Sequence, residues 1–260
     1  VFDSGVGGLT VLRELTAALP GQDFIYLGDT ARLPYGTKSA DTVARYSLQC
    51  AEALVERGIA SLVVACNTAS ASALDSLRGR YPDLPVIGVI EPGAAAAVAA
   101  SQSQHIAVIG TEGTINGGAY QAEIRRQSPA ARISARACSM FVALAEEGWT
   151  TGAVAEAVAR RYLDPLFAAE DIPDTLVLGC THFPILAAAI RAVLPAHVRI
   201  VDSAATTAQA LAARMGPQAS SVDRGRVRWL ATDDAGRFAR VGGRFFGADL
   251  SPGAVEIIDL

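Results

Sequence analysis

The sequence predicts an α/β protein made of two pseudo-symmetric, three-layer (αβα) domains with mostly parallel sheets and one active-site cleft between them. Three observations carry that prediction. Short apolar and β-branched runs alternate with alanine-rich segments of helical spacing along all 260 residues, the pattern of repeated βαβ units. Charged residues make up only 18% of the chain and hydrophobic residues 51%, which suits helices packed closely over sheets buried on both faces. Finally, LVVACNT (62 to 68) and LVLGCTH (176 to 182) echo one another. Each reads as an apolar strand, one small residue, a cysteine and two polar residues.

From the amino end, FDSGVGG (2 to 8) reads as a short strand ending at Asp3 and Ser4, then a glycine turn ahead of a helix over 9 to 19. FIYL (24 to 27) is the next strand. The dense turn chemistry of LGDTARLPYG (27 to 36) makes a loop, and helical spacing resumes over 40 to 57. SLVVAC (61 to 66) and VIGVI (86 to 90) read as buried strands on either side of a helix over 69 to 80. Pro92 and Gly93 punctuate EPGAAA (91 to 96), where a hinge is expected. HIAVIG (105 to 110), RISARAC (132 to 138), TLVLGC (175 to 180) and VRIVDS (198 to 203) follow as strands, with helices over 116 to 127, 150 to 169 and 184 to 193 between them. A helix over 204 to 215 comes next. The tail, with WLATDD and FFGADLSPGAVEIIDL, is expected to return to the first half. The division is therefore 1–92 completed by 206–260, and 93–205.

A formal charge of -4 and the lack of a dense Lys/Arg block remove the electrostatic signature of nucleic-acid binding, so the expected partner is a small molecule. The longest apolar stretch, PGAAAAVAA, is too short to span a membrane. Asp3 falls where a signal peptide would need its apolar core, and the missing initiator methionine leads us to expect a few residues ahead of Val1. Four cysteines (Cys50, Cys66, Cys138 and Cys180) do not make a disulfide scaffold in a chain of this length, so a reducing cytoplasm is expected. A homodimer is compatible with the composition, and no segment locates its face.

Candidate functional residues sit where strands end, which is where parallel sheets place their sites. The glycines after Ser4 expose N–H groups beside Asp3 that suit a carboxylate or phosphate, although a tight turn needs glycine for its dihedrals as well. The turn matches neither GxGxxG nor GxxxxGK[ST], so nucleotide binding has little support. Tyr35 is placed to cover a polar ligand and the Gly36 amide to donate to it; a plain surface loop explains the segment about equally. Cys66 is followed by Asn67, Thr68 and Ser70, and Cys180 by Thr181 and His182. Thr111 and Thr114 in GTEGT are further donors. Glu146 or Glu147 in LAEEGW is a candidate acid or a solvated helix end. Asp202 and Ser203 read as a helix cap, Cys50 and Cys138 as core residues, and His105 and His197 as boundary residues.

Several chemistries can be written from these groups. Zinc is disfavoured, because CxH is not a usual ligand spacing and no CxxC accompanies it; no metal is expected. A Cys–His hydrolase leaves Cys66 unused, and a redox pair needs the two Cβ atoms nearly in contact. Two acid/base groups on opposite faces of one small substrate use both cysteines: one removes a proton as thiolate and the other returns one, inverting a stereocentre. From the residues alone this stands only slightly ahead of a thiol hydrolase.

Taken together and in order, FDSGVGG, LGDTARLPYG, ACNTAS, GTEGTI and LGCTHFP resemble, across the whole chain, the glutamate racemases of the cofactor-independent aspartate/glutamate racemase family. The resemblance implies two pseudo-symmetric α/β domains with glutamate between them, interconverting its L and D forms to supply D-glutamate for bacterial peptidoglycan. It implies that Cys180 takes the α-proton of L-glutamate while Cys66, as thiol, protonates the other face, with the roles reversed for D-glutamate. Asp3 and His182 match the residues assisting the Cys66 and Cys180 sides. Ser4, Tyr35, Gly36, Asn67, Thr68, Thr114 and Thr181 match substrate-binding positions, Thr111 lies in the same motif, and Glu146 or Glu147 matches a glutamate on the Cys180 side. The chain departs from the family where CSMFVALAEEG stands for CPLFVPLVEEG, and where Gly117 replaces the serine of a TIxS pattern. His182 favours glutamate over aspartate, since aspartate-specific relatives commonly carry glutamate after GCT.

No cofactor is expected. A pyridoxal-phosphate racemase needs a Schiff-base lysine, and the only lysine of this chain is Lys38, in the loop after Tyr35. Catalysis without such an electron sink must come from placed donors and a water-poor cleft.

Overall fold

The computed structural model describes residues 1–168, 171–215 and 225–260. In chain order its strands are β1 (Phe2–Asp3), β2 (Phe24–Gly28), β3 (Leu62–Val64), β4 (Val86–Gly88), β5 (His105–Gly110), β6 (Arg132–Ala137), β7 (Thr175–Gly179), β8 (Arg199–Asp202), β9 (Val227–Ala231) and β10 (Val255–Ile257). They form two sheets, β10-β9-β2-β1-β3-β4 and β6-β5-β7-β8, in which every pairing is parallel. Every residue of β3, β4 and β7 is buried. Strands covered on both faces gain nothing from alternation, which is why they read as unbroken apolar runs.

The helices are α1 (Leu9–Ala18), α2 (Ala40–Val55), α3 (Asn67–Arg80), α4 (Ile90–Ala100), α5 (Glu112–Gly117), α6 (Ala119–Gln127), α7 (Met140–Glu147), α8 (Ala153–Phe167), α9 (Ala187–Val193), α10 (Ser203–Met215) and α11 (Ala235–Phe246). Side chains satisfy several of their free amide ends: Ser39 Oγ accepts from Thr42 N at 3.3 Å to open α2, and Asp234 Oδ1 accepts from Arg237 N at 2.8 Å to open α11.

Local details differ from expectation. EPGAAA is helical, not a loop: Pro92 and Gly93 lie in the first turn of α4, where a missing N–H has no intrahelical bond to lose, and α4 carries the chain from the first sheet to the second. Because α4 starts at Ile90, the strand expected over 86 to 90 shortens to β4. The helix expected over 116 to 127 is split by Gly118, whose φ of 69° lies in the left-handed region that favours glycine. The helix expected from 184 begins as a 3-10 turn, Phe183–Leu186, before α9. The end of the helix expected over 150 to 169 falls on Ala169, outside the described residues.

The two sheets repeat one topological device. β2 and β3 flank β1 on opposite sides, and β6 and β7 flank β5 in the same way. Where successive connections diverge like this, a crevice opens at the carboxyl ends of the strands. Cys66 follows β3 and Cys180 follows β7, so the echo in the sequence marks equivalent places in the two sheets. One apolar cluster joins them, bringing Leu9, Leu12 and Leu15 of α1 together with Leu176 and Leu178 of β7 and Leu211 of α10. Cys50 and Cys138 are packed into apolar clusters, as their surroundings in the sequence suggest. Among the described residues no helix is long and apolar enough to cross a membrane.

Candidate active site

β1 delivers Asp3 into the crevice with no exposure at all. Gly5 N donates to Asp3 Oδ2 at 3.0 Å, and Gly8 N also bonds its carboxylate. The amide donors of the glycine turn are thus turned on Asp3 itself. Glycine is required here by close approach: a Cβ on Gly7 would stand 2.4 Å from both His182 Nδ1 and Thr181 Oγ1, and one on Gly8 2.5 Å from Asp3 Cβ. Burial raises Asp3 above the usual carboxylate range, against the opposing pull of the His182 charge and of hydrogen bonds from Gly8, Gly5 and Thr181.

Cys66 caps α3. Its sulfur accepts from Ala69 N at 3.4 Å, and its thiol donates to Ser4 Oγ at 3.6 Å. Burial first, and the Asp3 charge second, push the thiol up to about 12, so Cys66 is protonated near neutral pH.

The Cys180 side is built differently. Its sulfur lies 3.9 Å from His182 Nδ1. His182 Nε2 sits 3.2 Å from Glu146 Oε1, and Arg237 donates to Glu146 Oε2 at 2.7 Å. Burial alone would lower His182, but hydrogen bonds to Cys180 and Glu146 and the charges of Cys180 and Asp3 raise it to about 10. Glu146 is held below the usual carboxylate range, first by its bond to His182. A cation therefore faces the Cys180 sulfur, and both of its ring nitrogens are engaged. Thr181 Oγ1 links the two sides, donating to Asp3 Oδ1 at 3.4 Å and lying 3.5 Å from His182 Nδ1.

Hydroxyl and amide groups converge beside the sulfurs. Thr68, Thr111 and Thr114 form a triangle of Oγ1 atoms with edges of 3.0, 3.2 and 3.1 Å, joining α3 of the first sheet to the start of α5, after β5 of the second. The 3-10 turn Tyr35–Thr37 presses on the same place, since a Cβ on Gly36 would come within 2.5 Å of Thr111 Cβ. Asn67 is 2% exposed and begins α3. All four cysteines are free.

The Tyr35 ring is fully buried against Tyr46, with its hydroxyl donating to Asp29 Oδ2 and lying near Cys50. Asp29 also accepts from Arg32 Nε at 2.7 Å and Thr232 Oγ1 at 2.9 Å, so this buried cluster braces the loop that carries Gly36. Glu146 meets His182, whereas Glu147 is exposed. Sequence reasoning missed Arg237, which reaches Glu146 from 91 residues away, and Tyr120, whose hydroxyl bonds Asn67; neither lies in a motif that could have drawn attention to it. A groove of about 640 Å³ lined by Asp23, Arg57 and Arg226 opens beside the start of β2, the opposite end of the sheet from these groups.

A family model for Asp/Glu/hydantoin racemases matches residues 5–211. The chain is similar to a glutamate racemase of Geobacter metallireducens, with 51% identity over 96% of this chain and 93% of the relative. It is also similar to the solved structure of a glutamate racemase isoform from Bacillus anthracis, with 35% identity and a TM-score of 0.92 over 100% of this chain and 96% of that one. A glutamate racemase from Francisella tularensis, solved in complex with D-glutamate, matches with 33% identity and a TM-score of 0.89 over 99% and 96% of the two chains.

Proposed function

The chain belongs to the Asp/Glu/hydantoin racemase family, and we infer that it is a glutamate racemase interconverting L- and D-glutamate by two-base proton transfer at Cα. The observation that carries this reading is a pair of sulfurs at equivalent strand ends with different neighbours. The Cys66 thiol donates to Ser4 and burial pushes it up to about 12, and Cys180 lies 3.9 Å from the His182 ring, which Glu146 bonds from its other side.

From L-glutamate, Cys180 removes the α-proton as thiolate while Cys66 delivers its own proton to the opposite face. The enzyme is left with the two sulfurs in exchanged protonation states, ready for the reverse reaction on D-glutamate. His182 balances negative charge on Cys180, and Glu146 keeps His182 charged. Asp3 assists Cys66 and, through Thr181, is coupled to the other side. No pyridoxal spreads the carbanion's charge in this reaction, so fixed donors must do so. Ser4, Asn67, Thr68, Thr111, Thr114, Thr181 and the backbone at Tyr35 and Gly36 are the groups we assign to hold the substrate. With Cys66 and Cys180 each 6% exposed and His182 7%, the reacting centre excludes water, which strengthens every one of these interactions.

The D-glutamate produced supplies peptidoglycan synthesis, and we assign the enzyme to the cytoplasm, where that material is made. A homodimer belongs to the same reading, with exposed Met140, Trp149 and Val154 available to its interface.

Purified protein without added cofactor should racemise L-glutamate in deuterated water and place deuterium at Cα; rapid inversion of L-aspartate with glutamate untouched would overturn the substrate. Cys66→Ser and Cys180→Ser should each lower racemisation by roughly 10²–10⁴-fold, the worth of a positioned acid or base. The two-base mechanism fails if neither variant alters deuterium uptake, and an acyl-enzyme trapped on one cysteine would indicate a thiol hydrolase.

A further inference from the structure

We propose that Tyr120 is a positioning residue for the substrate: its hydroxyl occupies the carbonyl end of the Asn67 side chain and so turns the amide's NH₂ end toward a carboxylate of bound glutamate. The proposal rests on the glutamate racemase reading and adds to it a residue outside the recognised motifs.

Asn67 stands directly after Cys66 and is buried. Its Oδ1 accepts from the Tyr120 hydroxyl at 2.8 Å, whereas its Nδ2 is buried with no hydrogen-bond partner. A buried amide donor left unmatched is costly, and native proteins retain few. Ionised carboxylates only accept hydrogen bonds, so an unmatched donor beside the catalytic sulfur fits a dicarboxylate ligand. An asparagine side chain has nearly the same shape either way round. Reversed, it would present Oδ1 to the carboxylate, and attraction would become repulsion. Some other group must choose between the two orientations, and Tyr120 is the one bonded to it.

Tyr120 is itself firmly seated. It is fully buried, and Ser203 hydrogen-bonds the same phenol oxygen. Two glycines make room for it: a Cβ on Gly93 would come within 3.1 Å of its hydroxyl, and a Cβ on Gly179 within 3.1 Å of its ring. Gly179 immediately precedes Cys180, which places the ring beside the second strand end. Tyr120 comes from α6, packed with the second sheet, and Asn67 from α3, packed with the first. The amide is therefore oriented by a contact that exists only where the two units meet.

Tyr120→Phe keeps the ring and removes only the hydroxyl. Glutamate affinity by calorimetry and racemisation kinetics would be measured for the wild type, Tyr120→Phe, Asn67→Ala and the double variant. Tyr120→Phe should weaken glutamate binding and raise KM about tenfold, the worth of one hydrogen bond to a charged group, with a smaller change in kcat. The double variant should bind no more weakly than Asn67→Ala, because Tyr120 acts through that side chain. Wild-type affinity in Tyr120→Phe, or independent losses that multiply in the double variant, would overturn the proposal while leaving the racemase reading intact. If the wild type neither binds nor racemises glutamate, both fall together. Should Tyr120→Phe not fold, Asn67→Asp poses the same question: one oxygen keeps Tyr120 while the other end becomes an acceptor. Glutamate must then bind more weakly than to Asn67→Ala, and equal or tighter binding would refute the assignment.

Discussion

Replacing Gly7 with alanine adds one methyl group at the point where the first glycine turn meets the segment that follows β7 of the second sheet. The added Cβ would stand 2.4 Å from His182 Nδ1, 2.4 Å from Thr181 Oγ1 and 2.5 Å from His182 Cε1, whereas ordinary contact begins at 3.4 Å. About 1 Å of movement is therefore unavoidable. Neither neighbour is the free end of a flexible chain, since His182 is held at both ring nitrogens and Thr181 Oγ1 is bonded to Asp3. Overpacking of this kind costs about 2 kcal/mol of stability, which lowers the melting temperature by roughly 4–8 °C in a chain of this length. A catalytic group displaced by about 1 Å loses on the order of 10²-fold in rate. Calorimetric melting and glutamate racemisation would be followed in parallel on Gly7→Ala. If the strain is relieved by shifting His182, kcat falls; if it is relieved by parting the two units, KM rises as well. A Gly7→Ala enzyme with wild-type kcat and melting temperature would refute the packing of the glycine turn against His182.

Other outcomes follow from the same geometry. Glu146→Gln removes the anion that favours the His182 cation. His182 is raised from 6.5 to about 10, so its charge contributes stability in full below pH 6.5 and loses that contribution as pH rises through about 10. In Glu146→Gln the alkaline fall of activity and stability should move roughly one pH unit lower, while Glu147→Gln should leave both pH profiles unchanged; identical profiles for Glu146→Gln and wild type would remove Glu146 from the chain of charge. Asp29→Ala leaves the half-buried Arg32 guanidinium and the buried Tyr35 hydroxyl without their carboxylate and should cost about 3 kcal/mol in urea unfolding. A loss below about 1 kcal/mol would show that the cluster bracing Tyr35 is not under electrostatic tension.

The two strand-end cysteines could be located from the sequence for a definite reason. Parallel strands buried on both faces must be continuous apolar runs, and their carboxyl ends are where side chains open into a crevice. Cysteines at 66 and 180 therefore announced both their location and their equivalence. The threonines at 68, 111 and 114 were legible as donors for the same reason, although only folding brings them within 3.2 Å of one another. Pro92 and Gly93 carry the local marks of a loop yet stand in a helix, because a helix start tolerates both.

By itself the sequence determined the order of strands and helices, the two-fold repetition of strand, cysteine and polar pair, and the kinds of group available at each strand end. These follow from side-chain volume, polarity and spacing along a few consecutive residues. Folding decided the rest. It settled that Glu146 and not Glu147 meets His182, that the Tyr35 hydroxyl meets Asp29, and that the glycine at position 7 is demanded by a neighbour far along the chain. It also left Cys66 a thiol. Such properties depend on burial and on charges brought together from distant segments, and these distances do not exist until the two sheets are packed.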